Sequence, residues 1–521
     1  MNETDILQVI EQTKELSGKD RKNALIKIAD KSSISRIFLH LALPKSDNRA
    51  LLRALCDICS TAKTADIVKR NTIIYNDKIK NLLNCNDAKT RKIVSELIGK
   101  SDVDLFYTDL VSAINTETTD FVRPSMILAL GNSTSHKTQA LDYLKSYKPV
   151  SSDIKHLDNE TTALKKAISS LSGEHTIPAI LTLPKGTVLS LDCPSTQVTL
   201  KELRSIGYEA KVARFPYNTV HVYGVERYRR IFAARSFYTA SILYGQSYRN
   251  FDEITRIICS REFSEYLHKL FGNNELYFRL ELKCEKGYEP ENGRNKTAED
   301  IAKLIDKNGD RLKMSPSSYG FEIVINITAK GICLCILPSR KLDDRFTYKK
   351  ESVPASIHPA AAAACVSFIK DHIYKDSDVL DCFCGSGTML FERSKLPYKS
   401  LTGSDISPDA VKASRTNERI AKTGAKFFAK NATSEFREQY DEVICNMPFG
   451  LRVGSHDKNR ALYQAFLQNL KNILSKRGRA FLFTNDKKLL SELISDNFEL
   501  LGKHNFSCGG LYPTLFILKN K

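Results

Sequence analysis

The 521-residue chain is 42% hydrophobic, 9% aromatic and 26% charged, a balance that leaves little room for long disorder and a length too great for one hydrophobic core. Lys and Arg number 78 against 60 Asp and Glu, a formal charge of +18; a polyanion such as nucleic acid is therefore a natural partner, although solvated lysine-rich faces give the same sum. No secretory segment or apolar span of about 20 residues appears, and the thirteen cysteines are scattered, so a cytoplasmic protein without membrane association, disulfide framework or metal is expected.

Residues 1–172 read as helices with an internal repeat. Arg91-Lys-Ile-Val-Ser-Glu-Leu-Ile-Gly99 and Arg123-Pro-Ser-Met-Ile-Leu-Ala-Leu-Gly131 place Arg and Gly eight apart in both copies, which are offset by 32 residues and preceded by Asp87 and Asp120. This suggests HEAT-like helical pairs, each burying its apolar face against the next, with a plain bundle as the alternative. Such an extension suits either RNA or a protein partner. Cys56-Asp-Ile-Cys59 lies within this apolar pattern without a second pair and reads as core packing.

After Gly173-Glu-His-Thr-Ile-Pro178 the texture changes. Residues 176–245 predict a small ferredoxin-like module. Its parts are a strand over 187–193, a helix over 198–206 closed by Gly207, paired strands over 211–215 and 219–223, and a second helix over 225–237. That last helix would carry Arg227, Arg229, Arg230 and Arg235. Residues 246–345 predict a second α/β module: a helix, a strand over 275–284, a helix over 297–306, and strands over 320–328 and 331–337. Cys333 and Cys335 alternate onto one face of the last strand. A basic strip of Arg340, Lys341, Arg345, Lys349 and Lys350 follows, a candidate RNA-binding surface.

Residues 352–521 alternate strands and helices as in a doubly wound, Rossmann-like α/β domain. A buried strand ending at Asp381 runs into Cys382-Phe-Cys384-Gly385-Ser-Gly387-Thr388 and then a helix beginning near Met389. The two glycines allow close approach of a small anionic or zwitterionic ligand. The next strand ends in Asp405, 20 residues beyond Gly385 and followed by Ile406, the place of a ribose diol. A dinucleotide enzyme fits these two features equally well. Asn446-Met447-Pro448-Phe449-Gly450 separates the readings. At the C-terminal end of a strand, the Asn446 amide oxygen and the Met447 carbonyl can hold the two hydrogens of an amine that is being methylated, and Phe449 offers a face to an extruded base.

The glycine loop and the Asn-Met-Pro-Phe turn resemble the first and fourth motifs of nucleic-acid amino-methyltransferases, most closely THUMP-containing RNA guanine-N2 methyltransferases. The order of the two preceding modules resembles that family's ferredoxin-like and THUMP domains. The resemblance implies S-adenosyl-L-methionine as cofactor. Cys384 to Thr388 would hold its methionine part, Asp405 its ribose, and Ser356-Ile-His358-Pro359 would form an additional contact. It further implies RNA as partner, with tRNA favoured over rRNA. Two departures stand out: Met447 replaces a proline, and Asn431, followed by Ala432, stands where an acidic residue is expected beside the adenine amine. Loss of that charge implies weaker cofactor binding. Besides tRNA guanine-N2 methylation, the sequence leaves open rRNA guanine-N2 or nucleic-acid adenine-N6 methylation and a non-catalytic RNA-binding factor with a relict pocket.

Overall fold

The structure, a computed structural model, describes residues 6–13, 16–43, 48–60, 62–171, 178, 180–248, 250–307, 311–315, 318–449, 456–494 and 497–521. The passage 173–177 and Gly450, both used above, lie outside them. The chain divides into two compact units, residues 1–175 with 315–318 and residues 176–314 with 319–521.

The first unit is helical: α1 (Ile6–Gln12), α2 (Gly18–Ile28), α3 (Lys31–Ala42), α4 (Asn48–Ile58), α5 (Ala62–Ile74), α6 (Asn76–Leu83), α7 (Ala88–Ser101), α8 (Tyr107–Thr116), α9 (Arg123–Leu130), α10 (Lys137–Ser146) and α11 (Ile154–Leu171). Side-chain caps start several of them, Asp30 on α3 and Asp87 on α7, satisfying amides that the first turn leaves unpaired. Ile34, Ile37, Phe38 and Leu41 form one buried stripe of α3 at the spacing of a helix face. Packing runs in series, α2 on α4, α4 on α7, α7 on α9 and α9 on α11. The repeated glycines sit at these crossings. A Cβ on Gly99 would lie 3.1 Å from the Ala129 Cα, and one on Gly131 only 2.7 Å from the Ala167 Cα. The repeated arginines clamp the turns: Arg91 donates to both Glu117 carboxylate oxygens at 2.7 Å, while Arg123 donates to the Glu117 carbonyl at 2.7 Å and pairs with Asp120. Gly131→Val should therefore destabilise this unit by about 1–3 kcal/mol through overpacking. Gly18→Ala, where a Cβ meets open space, should be near neutral; thermal unfolding of the two variants checks the contrast.

The second unit begins with β1 (Val188–Asp192), α12 (Thr196–Ser205), β2 (Glu209–Val212), β3 (Thr219–Tyr223) and β4 (Thr239–Tyr248). It continues through α13 (Phe251–Ile258), α14 (Arg261–Phe271), β5 (Leu276–Cys284), α15 (Arg294–Lys307), β6 (Leu312–Met314), β7 (Phe321–Thr328) and β8 (Gly331–Pro338). These strands form one sheet of order β2-β3-β1-β4-β8-β7-β5-β6. The two small modules thus share a sheet, joined where Ile242 of β4 faces Ile336 of β8, and β4 runs through the expected boundary at 245/246. The helix expected over 225–237 is instead a short 3-10 helix, Tyr228–Ala233. Both ends of that segment are engaged elsewhere: the Leu183 N–H donates to the Glu226 carbonyl at 2.8 Å and the Tyr228 N–H to the Leu181 carbonyl at 2.9 Å, Ala234 is extended, and Arg345 Nη1 takes the carbonyls of Ala234, Arg235 and Phe237 at 3.1–3.3 Å. The short strand β6 was not anticipated.

The rest of the unit comprises α16 (Pro359–Ile369), β9 (Asp378–Asp381), α17 (Thr388–Arg393), β10 (Ser400–Asp405), α18 (Pro408–Ala421) and β11 (Lys426–Ala429). Then come β12 (Tyr440–Asn446), α19 (His456–Ile473), β13 (Leu474–Thr484), α20 (Lys487–Leu493), β14 (Phe498–Asn505) and β15 (Thr514–Asn520). The sheet order is β11-β10-β9-β12-β13-β15-β14, parallel except for β15 against β13 and β14. This is the Rossmann-like arrangement expected, on a chain with a helical N-terminal part and mixed α/β modules between. Strand order reverses between β9 and β12, and ligands of such sheets bind beyond the strand ends at that switch point. No helix among the described residues is long and apolar enough to cross a membrane.

Candidate active site

The loop after β9 and the turn after β12 meet at the switch point because the two strands pair, Val379 with Glu442 and Leu380 with Val443. Gly385 and Gly387 adopt φ of +52° and +85°, a region that favours glycine. A Cβ on Gly387 would lie 2.6 Å from the Phe391 ring. The Gly385 N–H donates to Asp405 Oδ2 at 2.9 Å and the Ser407 N–H to Oδ1 at 2.9 Å. Asp405 therefore ties the end of β10 to the glycine loop, and lone pairs remain on both oxygens for a diol. Cys384 is buried and its N–H donates to the Ser404 carbonyl at 3.0 Å. Thr388 is buried at the start of α17, one residue earlier than expected. Ile406, beside Asp405, is 71% exposed. A large apolar side chain held open at the strand end suits the face of a nucleobase.

Asp381 accepts the Phe383 N–H at 3.0 Å. Burial pushes its carboxyl up to about 7. Ser356 is brought to the loop, its Oγ 3.1 Å from Ser386 Oγ. His358 is not: its Nδ1 accepts the Ala360 N–H at 3.1 Å, capping α16, and its ring meets Tyr238 edge-on with centroids 5.0 Å apart. Burial, then the cations Lys349, Arg345 and Arg340, depress its pKa to about 4. Because the folded value lies below the unfolded one of 6.5, the unfolding free energy should fall as pH drops from 6.5 toward 4. Urea titrations at both pH values should show a smaller fall for His358→Asn, whose amide can still cap the helix.

The Asn431 Oδ1 accepts the Thr433 N–H and hydroxyl, both at 3.0 Å. Its oxygen is thus engaged in its own turn, and its NH₂ is the group left to face a ring nitrogen. Ala432 is buried, with its carbonyl accepting from Asn469 at 2.9 Å.

At the end of β12, Asn446 Nδ2 donates to the Ala355 carbonyl at 3.5 Å, while Oδ1 is buried without a hydrogen-bond partner among the described residues. Such an orphaned acceptor costs free energy unless a ligand completes it. Met447 is buried and its N–H donates to the Phe483 carbonyl at 2.8 Å. The Pro448 carbonyl accepts the Tyr463 hydroxyl at 2.9 Å. The Phe449 ring lies 6.3 Å from that of Phe483. The turn is held from behind, and its amide oxygen is left for a guest.

Several positioning residues carry no motif. Asn417, inside α18 and fully buried, accepts the Lys350 and Glu351 N–H groups at 3.0 and 2.9 Å and donates to the Glu351 and Ser386 carbonyls at 2.9 Å. A poor helix former amid a helix was the only sequence signal. Ala355, at φ +62°, presents the carbonyl that Asn446 meets.

The basic strip divides. Arg340, Lys341 and Lys350 are exposed. Arg345 is buried, bonded to both Asp343 oxygens at 2.8 and 2.7 Å and to the three carbonyls above, so it is unavailable to phosphate. Lys349 is half-buried and its Nζ donates to the Ile357 carbonyl at 2.7 Å. Arg235, expected on a basic face, instead grips Glu392 of α17 through two bonds at 2.8 and 2.9 Å. Arg235 and Arg345 thus brace the fold.

Residues 347–510 match the family described as RMKL-like, methyltransferase domain. The chain is 28% identical to the tRNA (guanine(6)-N2)-methyltransferase of Methanocaldococcus jannaschii over 34% of its own length and 57% of the relative's. A Thermus thermophilus enzyme of the same name is also 28% identical, over 35% of this chain and 55% of its own. The chain thus spans little more than half the length of these relatives. Among solved structures, TrmN from Thermus thermophilus superposes with a TM-score of 0.52 at 19% identity, covering 64% of this chain and 100% of its own. SMU.472 complexed with SAH gives 0.51 at 19%, covering 65% and 99%; both likenesses are of fold.

Proposed function

We propose that this chain transfers the methyl group of S-adenosyl-L-methionine to the exocyclic N2 amine of a guanine in tRNA. The observation that carries the reading is the buried, unpartnered Asn446 Oδ1 at the switch point, beside a glycine loop tied to Asp405. The guanine-N2 relatives and the matched methyltransferase domain support it. The residues present fit the cofactor: the Cys384–Thr388 loop for its amino-acid end, Asp405 for the ribose diol, Ile406 and Asn431 for the adenine. When bound, it supplies an electrophilic methyl whose bond to sulfur breaks as the nitrogen–carbon bond forms. Asn446 Oδ1 and the Met447 carbonyl accept the two amine hydrogens, turning the nitrogen lone pair out of conjugation with the ring. Phe449 supports the extruded base. Catalysis then rests on positioning and desolvation; the amine proton passes to water. Arg340, Lys341 and Lys350 offer phosphate contacts; the helical N-terminal unit, read as HEAT-like, offers a surface of its own to RNA or a protein partner.

Nucleoside mass spectrometry of separated tRNA and rRNA from a deletion strain should show loss of N2-methylguanosine from tRNA. An unchanged profile in both fractions overturns the reading.

A further inference from the structure

A cavity of about 460 Å³ lies against the eight-stranded sheet and the segment that follows β8, and none of its walls comes from the glycine loop or from β12. Asp192 at the end of β1, Lys283 near the end of β5 and Arg340 line it together with Tyr238, Phe346 and His358. Asp192 is open to the cavity, yet the protein around it raises its pKa while Lys283 draws it back down. Asp192 and Lys283 thus line one cavity, the cation near enough to act on the carboxylate. The aromatic wall is rigid: the Tyr238 hydroxyl donates to the Ser507 carbonyl at 2.9 Å, and the Arg235 and Arg345 guanidiniums lie 5.0 and 4.8 Å from the centre of the Phe346 ring.

A carboxylate and an ammonium group lining one cavity, together with aromatic rings and an arginine, match a nucleotide better than a sugar or a peptide. Of the four bases, guanine alone presents two adjacent donors, N1–H and N2–H, which a carboxylate accepts side by side, next to an oxygen that lysine can donate to. Adenine places a single donor beside an acceptor and leaves one carboxylate oxygen unmatched. We propose that this cavity holds a second, unpaired guanosine of the RNA substrate, with Asp192 accepting from N1–H and N2–H, Lys283 donating to O6, and Arg340 meeting the phosphate. The assignment rests on the RNA-methylating reading above. It adds a site of sequence recognition outside the reacting pocket. His358 lines the cavity two residues after Ser356, which touches the glycine loop, so the two sites lie along one stretch of chain.

Fluorescence anisotropy with the full chain tests it, using a labelled uridine oligomer of about eight nucleotides carrying one guanosine and the same oligomer carrying adenosine, at fixed salt. The wild type should prefer the guanosine oligomer by about tenfold, the scale of one good bidentate contact. Asn446→Ala should keep that preference. Asp192→Asn and Lys283→Met should each reduce it to about twofold or less while leaving adenosine-oligomer binding unchanged. Absence of any preference in the wild type overturns the proposal. So does a preference lost in Asn446→Ala but kept in Asp192→Asn, which would place guanine recognition at the reacting pocket alone and leave the proposed function standing. GMP binding as tightly as the guanosine oligomer overturns the RNA assignment in favour of a free nucleotide. A retained cavity preference beside unchanged nucleoside profiles would instead count against the proposed function.

Discussion

Asn446→Ala should lower kcat for methyl transfer roughly 10²–10³-fold, the cost of removing one preorganised polar group from a reacting centre, while calorimetric affinity for S-adenosyl-L-methionine stays within about threefold. The expectation follows from the two ends of the side chain. Nδ2 makes one long contact, to the Ala355 carbonyl at 3.5 Å, and Oδ1 makes none among the described residues, so truncation removes little internal bonding and the fold should survive. The loss belongs in kcat because an amine hydrogen held by Oδ1 matters most as the nitrogen begins to bond to carbon. Full retained activity would eliminate Asn446 from the chemistry. Failure of the wild-type protein to bind the cofactor would favour a relict pocket, to which the engaged Asn431 oxygen gives physical content.

Arg393→Met should cost about 3–5 kcal/mol of unfolding free energy, the usual penalty for stranding one member of a buried ion pair. Arg393 of α17 and Glu442 of β12 are both buried, joined by bonds at 2.7 and 2.8 Å, and Arg393 also donates to the Leu396 and Pro397 carbonyls at 3.1 Å. The pair links the helix behind the glycine loop to the strand that ends in Asn446. The double variant Arg393→Met, Glu442→Leu should recover much of the loss, because two apolar groups leave no unpaired charge. Equilibrium denaturation of the single and double variants decides. A double variant as unstable as the single one would show that the carbonyl bonds, rather than the pair, carry the energy.

The Rossmann-like domain was legible because its signals are local. A buried strand, two glycines at positive φ and a carboxylate 20 residues on are contiguous features whose geometry follows from backbone sterics. The Arg-Gly repeat was readable for the same reason, since Gly99 and Gly131 fall at equivalent helix crossings. The failures share another cause. Arg345 and Arg235 were taken for exposed cations because charge was read without partners; Asp343, Glu392 and a ring of carbonyls, the latter up to 111 residues away in sequence, bury or engage them. The helix expected over 225–237 failed in the same way, since Glu226 and Tyr228 bond to Leu183 and Leu181, distant in sequence.

From residues alone came the class of domain and the switch-point motifs, each determined by side chains within a few positions of one another. Tertiary structure decided that the two small modules form one sheet, that Arg345 of the basic strip is interior, that Asn417 ties the 350–351 segment to the glycine loop, and that Asn446 keeps an oxygen unpaired among the described residues. Those outcomes depend on which distant groups meet, and hydrogen-bond satisfaction in a buried setting selects partners by position in space rather than along the chain.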